Sequence, residues 1–489
     1  MRILLVEDDE ASIRRFMDRL GAEPFAGEID VSTARTLEAA REIVRAVDFD
    51  FAVCDLHIPR DAGKEPRLDH GIAVYQLVAS TQPGTPTMLV TGSGDERRAR
   101  QLVAERPPAD IFGVNEPYPM SDFVFKDELD DCMQRIGDIA LQLDALDAIE
   151  LVTESSEDWP DPLQARALRI FARRNGARRV EIRPLGGLSD AAAVRASIFQ
   201  DDADPIASVF AKLGPLDALD DEARRYHEAA LRLPAGAYAP LLDRVEAGAG
   251  RIGGLFYGLA EQHQTSLFEW LERNPEDAVA TIDRLREVLG TWRGKEDTEE
   301  VLVTSLRRER IGGGELGEHA PALDAASRSF EKRSVEVRRT LQHGDLHGEN
   351  VLVAESGAPL LIDFANVAPM PAAFDPVVLE LSLVFQAGSP FLDHDWPSAE
   401  QCERWADLQS YLEGCPVPGL IRACRRWAMD AALSPAAVYA VAYAEALRQL
   451  AYSPRDPALA LGIARSAARE GLRLTGDEED AGRSLDSDR

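Results

Sequence analysis

Leu341-Gln342-His343-Gly344-Asp345-Leu346-His347-Gly348-Glu349-Asn350-Val351-Leu352-Val353, followed shortly by Leu360-Leu361-Ile362-Asp363-Phe364-Ala365, is the stretch on which the reading of this chain turns. Residues 351–353 and 360–362 are short apolar, β-rich runs. Glu355-Ser356-Gly357-Ala358-Pro359 between them is a turn signal, so the pair predicts a hairpin. That hairpin holds Asp345, Asn350 and Asp363 at one end, within reach of a common centre. One carboxylate to orient a hydroxyl, with an amide and a second carboxylate to hold Mg²⁺, is the set that phosphoryl transfer needs. The bland alternative is a hairpin that carries polar residues without chemistry.

The pattern H-G-D-x-H-x-x-N, then a strand and I-D-F, from His343 to Phe364, resembles the aminoglycoside phosphotransferase and choline kinase-like family, which shares the protein-kinase fold. The resemblance implies Asp345 as catalytic base, Asn350 and Asp363 as metal ligands, and His343 as the residue that fixes the loop. ATP and Mg²⁺ are the implied cofactors. His347 stands where protein kinases usually carry lysine, which leans toward a small-molecule kinase, and Ala365 replaces the glycine of D-F-G. Asp375 matches the family aspartate that hydrogen-bonds the catalytic loop; a helix N-cap is an equally physical role for it.

Upstream, residues 180–183, 193–199 and 206–212 read as strands. Lys212 closes the third, and lysine is scarce: of 54 basic residues only Lys64, Lys126, Lys212, Lys295 and Lys332 are lysines. An ammonium is a compact point charge suited to a phosphoryl oxygen. The resemblance pairs Lys212 with a helix glutamate, Glu222, with Glu228 as the competing choice. Gly186, Gly187 and Ser189 lie in Leu185-Gly186-Gly187-Leu188-Ser189-Asp190, a candidate phosphate-covering turn in which glycines let backbone N–H groups approach an anion. A plain hairpin turn reads equally well there.

At the amino terminus strands alternate with amphipathic helices, which implies a parallel, doubly wound sheet with functional groups at the carboxyl ends of its strands. Glu7, Asp8, Asp55, Thr91 and Lys126 all fall at such ends. This segment resembles the response-regulator receiver domain over most of residues 1 to about 143. The resemblance implies Asp55 as phospho-acceptor, Glu7 and Asp8 as the Mg²⁺-holding acidic pair, Thr91 and Lys126 as readers of the phosphoryl group, and Phe123 as the aromatic switch position. Three packed carboxylates repel unless a hard cation sits among them. The chain departs from the receiver pattern in a longer loop between Pro59 and Gly71, a long segment from Gly92 to Asp122, and Asp127 in place of the customary proline after Lys126.

The expected architecture is α/β plus α+β: a flavodoxin-like doubly wound receiver domain (1–143), a helical, acidic linker (144–165), a kinase-like amino lobe (166–262) and carboxyl lobe (263–474), and a mobile acidic tail (475–489). A length of 489 residues, 45% hydrophobic and 28% charged, suits an ordinary soluble globular chain of about three domains. No apolar run reaches the ~18 residues of a membrane span, and five cysteines without C-x-x-C spacing argue against a disulfide framework or zinc site. A net charge of −31 argues against general nucleic-acid binding and would suit a cationic substrate, although a dispersed solubility charge explains it as well. The expected activity is a cytoplasmic phosphotransferase acting on a small-molecule hydroxyl, with a sensor histidine kinase or small phosphodonor loading the receiver. The rival expectation is a catalytically inactive nucleotide-binding docking module.

Overall fold

Five short strands, β1 (Arg2–Val6), β2 (Asp30–Ala34), β3 (Phe51–Asp55), β4 (Thr87–Thr91) and β5 (Ser121–Phe125), pair in parallel in the order β2-β1-β3-β4-β5. The computed structural model describes residues 1–486 other than 93–94, 127, 154–158, 186–190, 202–203, 260–264, 293–296 and 453–454, and the described chain is mixed α/β. β1, β3 and β4 are almost continuously apolar and buried, as strands covered on both faces must be. The covers are the intervening helices α1 (Glu10–Gly21), α2 (Leu37–Ala46), α3 (Leu68–Thr81), α4 (Glu96–Glu105) and α5 (Leu129–Asp147). Phe16 and Leu20 of α1 join Met133 and Ile136 of α5 in one core. Val44 of α2, Val74 and Val78 of α3 and Leu102 of α4 fill the other. The Asp9 side chain caps α1 and the Thr36 side chain caps α2, each satisfying a backbone N–H of the first turn.

Two residues after α5 the chain enters β6 (Glu150–Thr153), a strand inside the stretch expected as linker. After α6 (Pro162–Arg174) come β7 (Arg179–Leu185), β8 (Ala192–Phe199), β9 (Ala207–Pro215), α7 (Leu216–Ala230), β10 (Leu241–Val245) and β11 (Ile252–Gly258). Their sheet runs β10-β11-β9-β8-β7-β6, antiparallel throughout except for the β6–β7 pair.

The chain divides into two units, Met1–Asp220 with Pro240–Leu259, and Asp221–Ala239 with Ala260–Arg489. Both sheets described above lie in the first, and one core runs through them: Ile111, Phe112 and Met120 pack in the same cluster as Ile170, Phe171, Val245 and Phe256. The join uses the amino-end side of the parallel sheet. Arg251 Nε lies 3.0 Å from Asp48 Oδ1, and Arg166 pairs with Asp50. Arg174 bridges Asp110 at 3.0 Å and Asp243 at 3.1 Å, while Arg173 Nη1 donates to the Phe112 carbonyl at 3.1 Å. The long α4–β5 connection is therefore a docking element, folded on the Asp110 carboxylate, which accepts from the backbone N–H groups of residues 112–115. Backbone meets backbone at Gly84 and Gly248: a Cβ added to Gly84 would fall on the Gly248 nitrogen.

In the second unit the strands are β12 (Thr265–Ser266), β13 (Asp297–Leu302), β14 (Ser334–Gln342), β15 (Val351–Val353), β16 (Pro359–Leu361) and β17 (Ala368–Pro371). They form two small sheets, β12-β15-β16 and β13-β14-β17, and β15–β16 is the antiparallel hairpin expected from the sequence. Helices make up most of the remainder, notably Phe374–Phe385, buried along its whole length, and Pro435–Tyr452. The last helix, Pro457–Asp486, carries helical backbone into the stretch expected as a mobile tail.

Candidate active site

β14 delivers His343 and Asp345 into the loop ahead of the β15–β16 hairpin, and Asp363 follows β16 by two residues. The loop is braced from beneath by Asp375. Its carboxylate accepts from His343 N at 2.8 Å and Gly344 N at 3.0 Å, and its own N–H donates to Gln342 Oε1 at 3.1 Å. Burial pushes the Asp375 carboxyl above the usual carboxylate range, against the pull of His343 and those two donors. The N-cap reading of Asp375 is corrected here: Ala373, which has no side-chain acceptor, holds the cap position, and Asp375 is the second helical residue with its carboxylate committed to the loop.

His343 is fully buried, with Nε2 2.9 Å from the Ile362 carbonyl, so it ties the loop to the residue preceding Asp363. Asn350 Nδ2 donates to the Asp345 carbonyl at 2.9 Å, and Asn350 O accepts from Ile362 N at 3.1 Å. The three polar residues are thereby linked through two short backbone crossings. Asp363 has φ +65°, a left-handed conformation uncommon outside glycine, and its Oδ1 accepts from Ala365 N at 3.3 Å. His347 Nε2 stands 3.8 Å from Asp345 Oδ2. Burial lowers the His347 pKa, outweighing the Asp345 and Asp363 charges, so the ring is neutral at neutral pH.

α7 begins in the first unit and ends in the second. In the second, Arg225 donates to the Ala365 carbonyl and the Tyr226 ring meets Phe364 edge-on at 5.3 Å. Glu222 lies one turn before Tyr226 and is buried. Lys212 belongs to the first unit, in β9 opposite Ala193 of β8 and Leu255 of β11, and is buried too. Gly186, Gly187 and Ser189 lie outside the described residues.

Sequence reasoning missed Arg448, on the helix Pro435–Tyr452, whose Nη2 is 4.0 Å from Asp345 Oδ1. No motif marks it: it comes from about a hundred residues downstream, in an Ala-rich helix without a local signal.

In the parallel sheet, Glu7, Asp8 and Asp55 offer ligand oxygens that all lie within 4.8 Å of one another. Lys126 Nζ reaches Asp55 Oδ2 at 2.6 Å and Glu7 Oε2 at 3.1 Å. Desolvation lowers the Lys126 pKa, but Asp55 and Glu7 outweigh it and hold the ammonium above its usual range. Thr91 is buried beside them, its hydroxyl donating to the Gly92 carbonyl at 3.1 Å. Phe123 packs under Arg100, 5.1 Å from guanidinium carbon to ring centre. Three oxygens of hard-ligand type at this spacing suit Mg²⁺.

Burial first, then the Asp55 charge, raises the Glu7 pKa against the opposing Lys126. The folded chain thus holds this proton more tightly than the unfolded chain, so the group's effect on stability worsens as pH climbs from the ordinary carboxylate range through the raised folded value. Glu7→Gln should therefore melt higher than wild type at neutral pH without metal. Added Mg²⁺ should raise the wild-type melting temperature and leave the variant's nearly unchanged. Thermal melts with and without EDTA check both signs.

Residues 197–411 match the model of a family described as the phosphotransferase enzyme family. No curated protein sequence matches the chain. Among solved structures the chain is similar to a candidate aminoglycoside phosphotransferase from Ralstonia eutropha JMP134, at 11% identity over 61% of this chain and 93% of that one, with a TM-score of 0.37. It is similar to a thermostable mutant of aminoglycoside phosphotransferase APH(4)-Ia, solved with ADP and hygromycin B, at 12% identity over 59% and 94%, TM-score 0.33. NtrX from Brucella abortus aligns at 13% identity over 34% of this chain and 40% of that one, TM-score 0.21. Through residues 197–411 the chain carries the pattern of a phosphotransferase domain.

Proposed function

We propose that the chain is an ATP- and Mg²⁺-dependent phosphotransferase acting on a small-molecule hydroxyl, governed by an amino-terminal receiver domain that is phosphorylated on Asp55. The observation that carries this reading is the braced loop, in which Asp375 and His343 hold Asp345 and Asn350 against the segment bearing Asp363. It lies inside the residues that match the phosphotransferase family model. Asp345 takes or orients the acceptor's hydroxyl proton, a role worth ~10²–10⁴ in rate. Asn350 and Asp363 are the oxygen donors for Mg²⁺, which supplies neutralisation of the charge on the migrating phosphoryl group. Lys212 and Glu222 position the nucleotide phosphates, and Gly186, Gly187 and Ser189 cover them.

At the other end Glu7, Asp8 and Asp55 hold Mg²⁺, Asp55 accepts the phosphoryl group from a sensor histidine kinase or a small phosphodonor, and Thr91 and Lys126 read it. The receiver spans 1–143 and the two kinase-like lobes 166–262 and 263–474; the reading places the protein in the cytoplasm. Among the described residues no helix is long and apolar enough to cross a membrane.

The full chain, incubated with γ-labelled ATP, Mg²⁺ and a panel of alcohols, should pass label to a small molecule, and Asp345→Asn should not. With labelled acetyl phosphate it should become labelled itself, and Asp55→Asn should stay dark. Equal ATP turnover by Asp345→Asn and wild type would remove the enzymatic assignment.

A further inference from the structure

Within the second unit the base carboxylate faces a fixed cation. Arg448 Nη1 donates to Glu445 Oε1 at 3.0 Å, Nη2 stands 4.0 Å from Asp345 Oδ1, and the guanidinium lies 5.0 Å from the Tyr452 ring centre. Glu445 is fully buried and also accepts from Arg310 Nε at 3.1 Å and Gln449 Nε2 at 2.8 Å. Two guanidinium groups meet two carboxylates here, Glu445 and Asp345, and Glu445 is shared with Arg310, so Arg448 is the cation that faces Asp345. The Glu445 contact, the ring and the helix hold Arg448 in one orientation, so little side-chain freedom is left to lose when a ligand arrives.

Any acceptor hydroxyl must come within about 2.6–3.2 Å of the base it gives its proton to. A hydroxyl on Asp345 thus brings the rest of the acceptor within reach of a guanidinium only 4.0 Å from the same carboxylate. Arginine stays charged, and its planar fork matches carboxylate and phosphate oxygens. A protonated amine placed there would meet like charge, which disfavours it.

Resting on the proposed phosphotransferase activity, we infer that Arg448 sets acceptor specificity by binding an anionic group, so that the substrate is a hydroxyl compound bearing a carboxylate or phosphate rather than a polyamine. This differs from what the chain's overall acidity suggests, because the Arg448 guanidinium beside the base, not the surface total, meets the acceptor's second group.

The test uses the full chain with Mg²⁺–ATP and matched acceptors in three charge classes, such as gluconate, glucose and glucosamine, alongside phosphorylated alcohols. Wild type should turn over the anionic class in preference. Arg448→Ala should raise the KM for the anionic acceptor about 10- to 100-fold, with the KM for ATP unchanged. Arg448→Lys, which keeps the charge and loses the fork, should recover part of that loss. Melting curves for both variants should match wild type, since Arg310 and Gln449 still satisfy Glu445.

Preference for neutral or cationic acceptors, an unchanged acceptor KM in Arg448→Ala, or a fall in kcat common to every acceptor overturns the inference and leaves the phosphotransferase reading standing. A wild type that binds Mg²⁺–ATP and turns over no class overturns the inference together with the phosphotransferase reading and favours the inactive nucleotide-binding module. A wild type that neither binds Mg²⁺–ATP nor consumes it overturns both.

Discussion

Asp363→Asn should fold like wild type and lose turnover by roughly 10²–10³-fold or more. The two halves of this expectation have separate causes. Asp363 sits at φ +65°, and asparagine is among the few residues that take that conformation readily, so the backbone after β16 survives the change. The amide also keeps an oxygen that can accept from Ala365 N, the bond now made at 3.3 Å. What disappears is one negative charge, the one assigned to holding Mg²⁺ against the migrating phosphoryl group. Single-turnover transfer from labelled ATP, with a thermal melt of the same preparation, checks both halves. A variant that melts as wild type and transfers at the wild-type rate would strip Asp363 of its role. Asp363→Ala is the less informative change, because alanine at positive φ adds backbone strain to the lost ligand.

Gly84→Ala should destabilise the first unit by about 1–3 kcal/mol. The new methyl would fall on the Gly248 backbone nitrogen, and backbone cannot swing aside as a side chain can. Gly248 offers no slack: it has φ +99°, and a Cβ there would strike the Ile111 carbonyl in turn. A unit of this size loses roughly 2–4 °C of melting temperature per kcal/mol, so a drop of several degrees is expected. Gly27→Ala, where nothing lies within 4 Å of the added methyl, is the control and should melt as wild type. If both variants melt together with wild type, the parallel and six-stranded sheets do not share one core.

Much of the fold was readable because short strands announce themselves. Residues 3–6 and 88–90 are continuous apolar runs, and the strands expected at 3–6 and 87–90 are found buried. The β15–β16 hairpin came from two apolar runs and a Gly-containing turn. β6 escaped because its four residues, Glu150 to Thr153, follow a helix directly and become a strand only by pairing with β7, a choice made by tertiary context. The closeness of Asn350 to Asp345 was legible from spacing, since a six-residue loop leaves little room for separation. Arg448 was not, because its approach to Asp345 depends on how a distant helix packs. The role of Asp375 could be narrowed only by seeing which N–H groups its carboxylate accepts from; sequence allows both a cap and a brace.

Arg166, Arg174 and Arg251 grip the parallel sheet at Asp48, Asp50 and Asp110, on the side where its strands begin, whereas Asp55 ends β3, roughly 17 Å along the strand from Asp50 at ~3.3 Å per residue. The front piece is consequently not a cassette. Transplanting a foreign counterpart in its place would require matching three acidic anchors and a bare-backbone contact before any question of signalling arose. Evolution of this chain is constrained in the same way: its two leading sheets must drift together, while the rim around Asp55 is left freer to vary.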